Sequence, residues 1–176
     1  MLKPLVDLTA ADSRFENIVR LDPATGQIFP MTIGDHYAMI EEISLSDTVP
    51  QDIRTAFDRA RNAFLYAWFS YELTTLAQAQ AYAALEMALR ERVHRHDPTF
   101  NRRGLSTYFQ AARRFGLFGG MKLPDGQDAG PDLDHWETSL PAIRNYLAHG
   151  SSYVNLPGAA SSAIRHCSWL IDHLYR

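Results

Sequence analysis

The run Gln51-Asp52-Ile53-Arg54-Thr55-Ala56-Phe57-Asp58-Arg59-Ala60-Arg61-Asn62-Ala63-Phe64-Leu65-Tyr66-Ala67-Trp68-Phe69-Ser70-Tyr71 decides the fold. Ile53, Phe57, Ala60, Phe64, Leu65 and Trp68 recur at three- and four-residue steps, the spacing that lines one face of an α-helix. The longest apolar part, Ala63 to Phe69, is interrupted by Ser70 and Glu72, so it is too short to span a bilayer. A helix that presents one apolar stripe needs a partner to cover it, and the chain on its C-terminal side supplies several.

Thr74 or Thr75 restarts or continues a helix through Val93. Its Ala- and Leu-rich composition (Leu76, Ala79, Ala83, Leu85, Met87, Leu89) predicts a well-buried element. Ala77, Ala79, Ala81 and Ala84 would let a neighbouring helix approach closely, a feature compatible with a dimer interface. Ser106 is placed to cap a third helix to about Phe115, with Tyr108, Ala111, Ala112 and Phe115 on its apolar side. Gly116, Gly119 and Gly120 stop it, and the Gly-, Pro- and Asp-rich chain up to 133 reads as an exposed loop. No strand or Gly-Lys-Ser/Thr follows, so this is no phosphate-cradling loop. Asp134 to His149 forms the fourth helix, with Pro141 in its first turn or kinking it, and Gly150 suits a left-handed C-terminal cap. A last helix, Gly158 to Tyr175, packs Ile164, Trp169, Leu170 and Leu174. The expected fold is all-α: an antiparallel up-and-down bundle of four to five helices over residues 51–176.

Residues 1–50 form a small irregular extension ahead of it. The first fifteen residues have no clear period. Ile18 to Leu21 and Gln27 to Ile33 are short and apolar-rich, and Asp22-Pro23-Ala24-Thr25-Gly26 between them fits the turn of a β-hairpin. Pro30 would confine the second run to an edge. Asp35 is placed to cap a short helix carrying Tyr37, Ile40 and Ile43 on one face.

The chain has 176 residues, 17 Lys and Arg against 20 Asp and Glu, and a formal net charge of −3, so no global charge argues for nucleic acid. The distribution says more than the sum. Arg90, Arg92, Arg95, Arg102, Arg103, Arg113 and Arg114 stand against only Glu91 and Asp97, a basic segment in an otherwise acidic chain. Such a segment is a candidate phosphate-binding surface, with a solvated helix face and loop as the plainer alternative. The single cysteine, Cys167, excludes an internal disulfide and points to a reducing, cytoplasmic setting; it reads as a buried structural thiol. Met1-Leu2-Lys3-Pro4 is not followed by the apolar run a signal peptide requires. His94, His96 and Asp97 read as a polar loop after the second helix, and His166 with His173 share a helix face without further ligands, so no metal is expected.

Chemistry concentrates in Arg144-Asn145-Tyr146-Leu147-Ala148-His149-Gly150. A permanent cation can hold a phosphate, and an imidazole can move protons at neutral pH. An Arg followed within a few residues by a His is weak on its own, because Arg90 and His96 form a similar pair one position wider. On spacing alone, Arg144 could be a surface cation, and His149 could offset the negative end of its helix. What separates this stretch is Asn145 directly after the Arg, apolar Tyr146 and Leu147, and the closing glycine.

On the fourth helix of a bundle, that Arg-Asn-x-x-x-His pattern strongly resembles the HEPN superfamily (higher eukaryotes and prokaryotes nucleotide-binding domains), many of whose members are metal-independent RNases. The resemblance covers about Gln51 to Tyr175 and includes Glu72 and Glu86 as acidic interruptions of apolar helices. It implies an endoribonuclease in which Arg144, Asn145 and His149 are catalytic, Glu86 is a supporting acid, and no cofactor takes part. Arg90, Arg95, Arg102, Arg103, Arg113 and Arg114 would then be RNA-binding candidates. His149 would take the 2′-hydroxyl proton or protonate the leaving oxygen, Arg144 would stabilise phosphoryl charge, and Asn145 would orient His149 or contact the phosphate. The resemblance further implies a cytoplasmic toxin or phage-defence protein with RNA as substrate, an antitoxin partner and a homodimer with a composite site. A catalytically silent HEPN module that binds a nucleotide or partner protein is the alternative. Along one regular helix Arg144 and His149 lie roughly 140° apart. Joint action therefore calls for a frayed helix end or for a second subunit.

Overall fold

The computed structural model describes residues 3–148 and 154–176. Six α-helices, one two-stranded sheet and two short 3-10 helices (Leu5–Asp7 and Ser13–Asn17) make up its regular structure; the main elements are β1 (Val19–Leu21), β2 (Ile28–Pro30), α1 (Ile33–Ala38), α2 (Gln51–Tyr66), α3 (Leu73–His96), α4 (Leu105–Arg114), α5 (Gly130–Ala148) and α6 (Pro157–Leu174). The fold is mostly helical with a small antiparallel hairpin near the N-terminus, the expected class.

α3 is the centre of the bundle and packs against α2, α4, α5 and α6. Direction follows from named contacts. Gln80 on α3 donates to the Ala56 carbonyl on α2 across the short turn joining them, so these two run antiparallel. Thr74 Oγ1 donates to the Asn155 carbonyl at one end of α3, and Tyr175 OH donates to Glu91 at the other, so α3 and α6 run parallel. α5 runs against both, with Trp136 beside His166 near its start. The four long helices thus alternate in direction, and α3 and α6 are one of the two alternate pairs.

Alternate members of such a bundle ordinarily sit diagonally apart. Here α3 and α6 touch closely. Ala77, Ala81, Ala84 and Ala88 on α3 and Ala160 and Ala163 on α6 are buried, and side chains this small let backbones approach. The alanine face is therefore used inside one chain, against α2 and α6, and only Ala79 of the expected set is half-exposed. Burial on α3 also falls differently from the composition-based expectation. Leu85 and Leu89 are buried, Met87 is half-buried, and Leu76 and Ala83 are exposed. The buried stripe instead carries polar Thr74 and Gln78. With α3 drawn toward α6, α5 is left standing off α6, and a cavity opens between them.

The first fifty residues feed the same core. Phe15 packs on Trp68 and Tyr71, with ring centroids at 4.6 and 5.3 Å. His36 is fully buried, stacks on Phe64 at 4.5 Å and donates through Nε2 to the Phe64 carbonyl at 2.8 Å. Ile40, Ile43 and Val49 join the main cluster. The hairpin pairs Val19 with Pro30 and Leu21 with Ile28, and a two-stranded sheet is all edge, which is how it accepts Pro30. The cap of α1 is Thr32. Asp35 is the reciprocal member of a capping box, its carboxylate accepting from the Thr32 backbone N–H at 2.9 Å. Of the three residues expected on the inner face of α1, Ile40 and Ile43 are buried beyond its end and Tyr37 is exposed.

The segment after α4 is less exposed than its composition implies. Phe118, Met121, Ala129 and Leu133 are buried, so its glycines make turns between anchored apolar residues. α4 begins at Leu105 after Gly104, whose φ of +103° suits glycine. α5 starts at Gly130, which puts Pro141 in its interior, where the ring removes one hydrogen bond of the helix. Among the described residues no helix is long and apolar enough to cross a membrane.

Candidate functional site

α5 is continuous to Ala148, which holds Arg144 and Asn145 on a regular helical surface about one turn from that end. His149 lies outside the described residues, as does Gly150. Arg144 Nη2 reaches Glu86 Oε2 on α3 at 3.4 Å, and Arg144 Nη1 lies 3.3 Å from Asn145 Oδ1. The fold therefore brings together three of the four residues singled out for catalysis and support. The carboxylate in the apolar helix has its partner in Arg144, as a half-buried charge requires.

This geometry has a clear electrostatic sense. Glu86 is the more buried member, with a side chain 25% exposed against 41% for Arg144. The carboxylate accepts from Nη2 of the guanidinium, while Nη1 donates to Asn145 Oδ1. A planar cation held from behind is an oriented donor fork for a tetrahedral anion. Asn145 is exposed on its flank. Glu72, the other acidic interruption, is engaged elsewhere. It pairs with Arg14 at 2.7 Å, and that hydrogen bond holds its carboxyl below the usual range.

The six arginines proposed for RNA do not form one uniform surface. Arg90 is exposed and sits one turn beyond Glu86 on nearly the same face of α3. Arg102 and Arg103 are exposed between α3 and α4. Arg95 is paired with Glu91, and Arg114 covers the Phe115 ring at 4.9 Å. Arg113 bridges Asp134 and Glu137, each at 2.7 Å, and so ties α4 to α5. His94 and His96 lie on the last turn of α3, which runs three residues past Val93. His96 stacks on Phe115 at 4.3 Å. Among the described residues no three His, Cys, Asp or Glu side chains converge as metal ligands would. Cys167 is fully buried and burial pushes its thiol pKa up, which matches a structural thiol.

Periodicity gave no hint of the cavity between α3, α5 and α6, about 800 Å³ in volume. Its floor is a buried polar chain. Asn155 Nδ2 donates to Gln78 Oε1, and Gln78 Nε2 donates to Tyr82 OH at 2.7 Å. Thr74 Oγ1 donates to the Asn155 carbonyl at 3.1 Å, which fixes the chain entering α6. Trp136 and His166 form one wall, their ring centroids 5.0 Å apart. Burial lowers the His166 pKa, partly opposed by Asp132, which favours the neutral ring. The available signal was Gln78 within an apolar helix, a polar side chain that needs a partner once buried. Against family models, curated proteins and solved structures, the chain finds no match.

Proposed function

We propose that the protein is a metal-independent endoribonuclease of the HEPN type, in which Arg144, Asn145 and His149 act on the scissile phosphodiester and Glu86 positions Arg144. The observation that carries this reading is the Glu86–Arg144–Asn145 cluster, a cation held by a half-buried carboxylate with an amide beside it. The chemistry needs only these groups. An imidazole at 149 removes the 2′-hydroxyl proton or protonates the departing 5′-oxygen. The guanidinium donates hydrogen bonds to the phosphoryl oxygens and stabilises the negative charge that builds on them. Attack by the 2′-oxygen leaves a 2′,3′-cyclic phosphate and a 5′-hydroxyl.

The helical angle between Arg144 and His149 favours a homodimer with two motifs around one phosphate. Ile143 and Tyr146, 38% and 57% exposed, flank the cluster and offer apolar surface for such a contact. The proposed setting is the cytoplasm. The proposed role is that of a toxin or phage-defence nuclease restrained by an antitoxin, as the family resemblance implies.

The test is purified protein with mixed RNA in EDTA, beside Arg144→Ala and His149→Ala. Cleavage to cyclic-phosphate ends, lost in both variants, is the expected result. No cleavage at any protein concentration, or equal cleavage by the variants, refutes the reading. For the composite site, Tyr146→Glu should yield a folded monomer that no longer cuts. A fully active monomer removes the dimer from the mechanism.

A further inference from the structure

The cavity between α3, α5 and α6 is built differently from the Arg144 cluster, and neither Arg144 nor Glu86 lines it. Its volume of about 800 Å³ falls in the range of small-molecule sites. Three polar side chains on its floor are more than nine-tenths buried: Tyr82 at 1%, Gln78 at 4% and Asn155 at 6% exposed. Their hydrogen bonds run in one direction, from Asn155 to Gln78 to Tyr82. Two groups remain without a side-chain partner among the described residues. Asn155 Oδ1 is an acceptor, and the Tyr82 hydroxyl hydrogen is a donor. Both atoms belong to side chains that line the cavity, and a ligand edge that meets both gains two hydrogen bonds there.

The walls specify the rest. Trp136 and Leu140 are buried apolar surface, and His166 stands beside Trp136, where burial favours its neutral ring. No Arg or Lys is among the described lining residues, and Asp132 is their one acidic side chain. An anion would find no permanent counter-charge, only the His135 and His166 rings, and would meet a carboxylate. Flat aromatic walls instead suit a planar ring.

We propose that this cavity binds an uncharged, planar heteroaromatic molecule whose edge carries a hydrogen-bond donor beside an acceptor. The donor meets Asn155 Oδ1, and the acceptor meets the Tyr82 hydroxyl. A free heterocycle and an unstacked base of an RNA strand share this chemistry. The binding needs no cleavage and is tested without it, although Ile143 and Tyr146 of the proposed dimer contact also line the cavity.

The test is a titration of the full chain, in EDTA, followed by amide and indole NMR signals. The probes are adenine, benzoate and a six-nucleotide oligoadenylate. Adenine should bind saturably and shift the Trp136 indole and the Asn155 side-chain amide, with benzoate at least about tenfold weaker. Ala159 is exposed and lines the cavity, so Ala159→Trp fills the space from the solvent side. Ser162→Trp does the same from an exposed position on α6. Each should weaken adenine by about tenfold or more while leaving distant signals in place. If one blocking variant misfolds, the other decides. Tighter binding of the oligoadenylate, with shifts reaching Asn145, identifies an RNA base as the natural occupant. Binding no tighter than adenine identifies a free small molecule. The proposal is overturned if adenine gives no saturable shift up to about 10 mM, below any useful affinity. It is equally overturned if benzoate binds as well, or if a folded blocking variant binds like the wild type.

Discussion

Replacing Glu86 by Gln separates a structural role for its pair with Arg144 from a positioning one. The side chain keeps its shape and loses its charge. At 3.4 Å, Coulomb's law gives ~1 kcal/mol in water and ~5 kcal/mol at an effective dielectric near 20. The Arg144 side chain is 41% exposed, which puts the pair toward the watery limit. Its net contribution to stability is then below about 1 kcal/mol, and the melting temperature should fall by no more than ~4 °C. Catalysis should respond more strongly. A guanidinium released from its carboxylate gains affinity for phosphate and loses its fixed direction, and misplacement by about 1 Å costs ~100-fold in rate. Glu86→Gln should therefore lower KM for RNA and lower kcat by ~10–100-fold, a split that a merely structural change would not produce. The assay is initial-rate cleavage of a fluorescent RNA in EDTA, paired with urea unfolding. If Glu86→Gln cuts at the wild-type rate while Arg144→Ala is inactive, Glu86 does not position the arginine. If stability falls by more than ~3 kcal/mol, the pair behaves as a buried one and the exposure argument fails.

Three further outcomes follow from the packing. Burial lowers the His36 pKa from its ordinary 6.5, so the unfolded chain binds its proton first; the stability His36 contributes is complete above about pH 6.5 and falls as pH drops below it. Fluorescence of Trp68, 5.9 Å from His36, should report loosening in that window, and His36→Phe should abolish that pH dependence; an unchanged profile refutes the assignment. Phe64→Ala removes a fully buried ring that also carries the His36 stack, and should cost about 3–5 kcal/mol in urea unfolding. Cys167 is fully buried, so a thiol reagent should label it only at the rate of unfolding; fast labelling of native protein would contradict its placement in the core.

Much of the fold was legible because helix periodicity is a local property. Ile53, Phe57, Ala60 and Phe64 mark a buried stripe by spacing alone, and the structure buries all four. The hairpin was readable for the same reason, since Asp22-Pro23-Ala24-Thr25-Gly26 carries its own turn chemistry. Element ends were less legible. α5 begins at Gly130 because Ala129 and Leu133 are pulled into the core, a force from outside the segment. The burial between 116 and 133 is not legible in the sequence for the same reason, because glycine content reports backbone freedom and says nothing of what Phe118 and Met121 can reach.

The candidate site divides along the same line. Arg144, Asn145 and the unusual Glu86 are visible as residue types in sequence. That Glu86 and Arg144 meet across 58 positions depends on how α5 lies on α3. The cavity depends entirely on tertiary structure. Small alanines draw α3 and α6 together, α5 stands away, and Gln78, Tyr82 and Asn155 become the floor of the space between. By itself the sequence determined which surfaces must be covered, because the apolar pattern of each helix is written in its own residues. Which surfaces found one another, and where a gap was left, only the tertiary structure decided, because side-chain volumes on different helices must be summed before it is known how close two backbones can come.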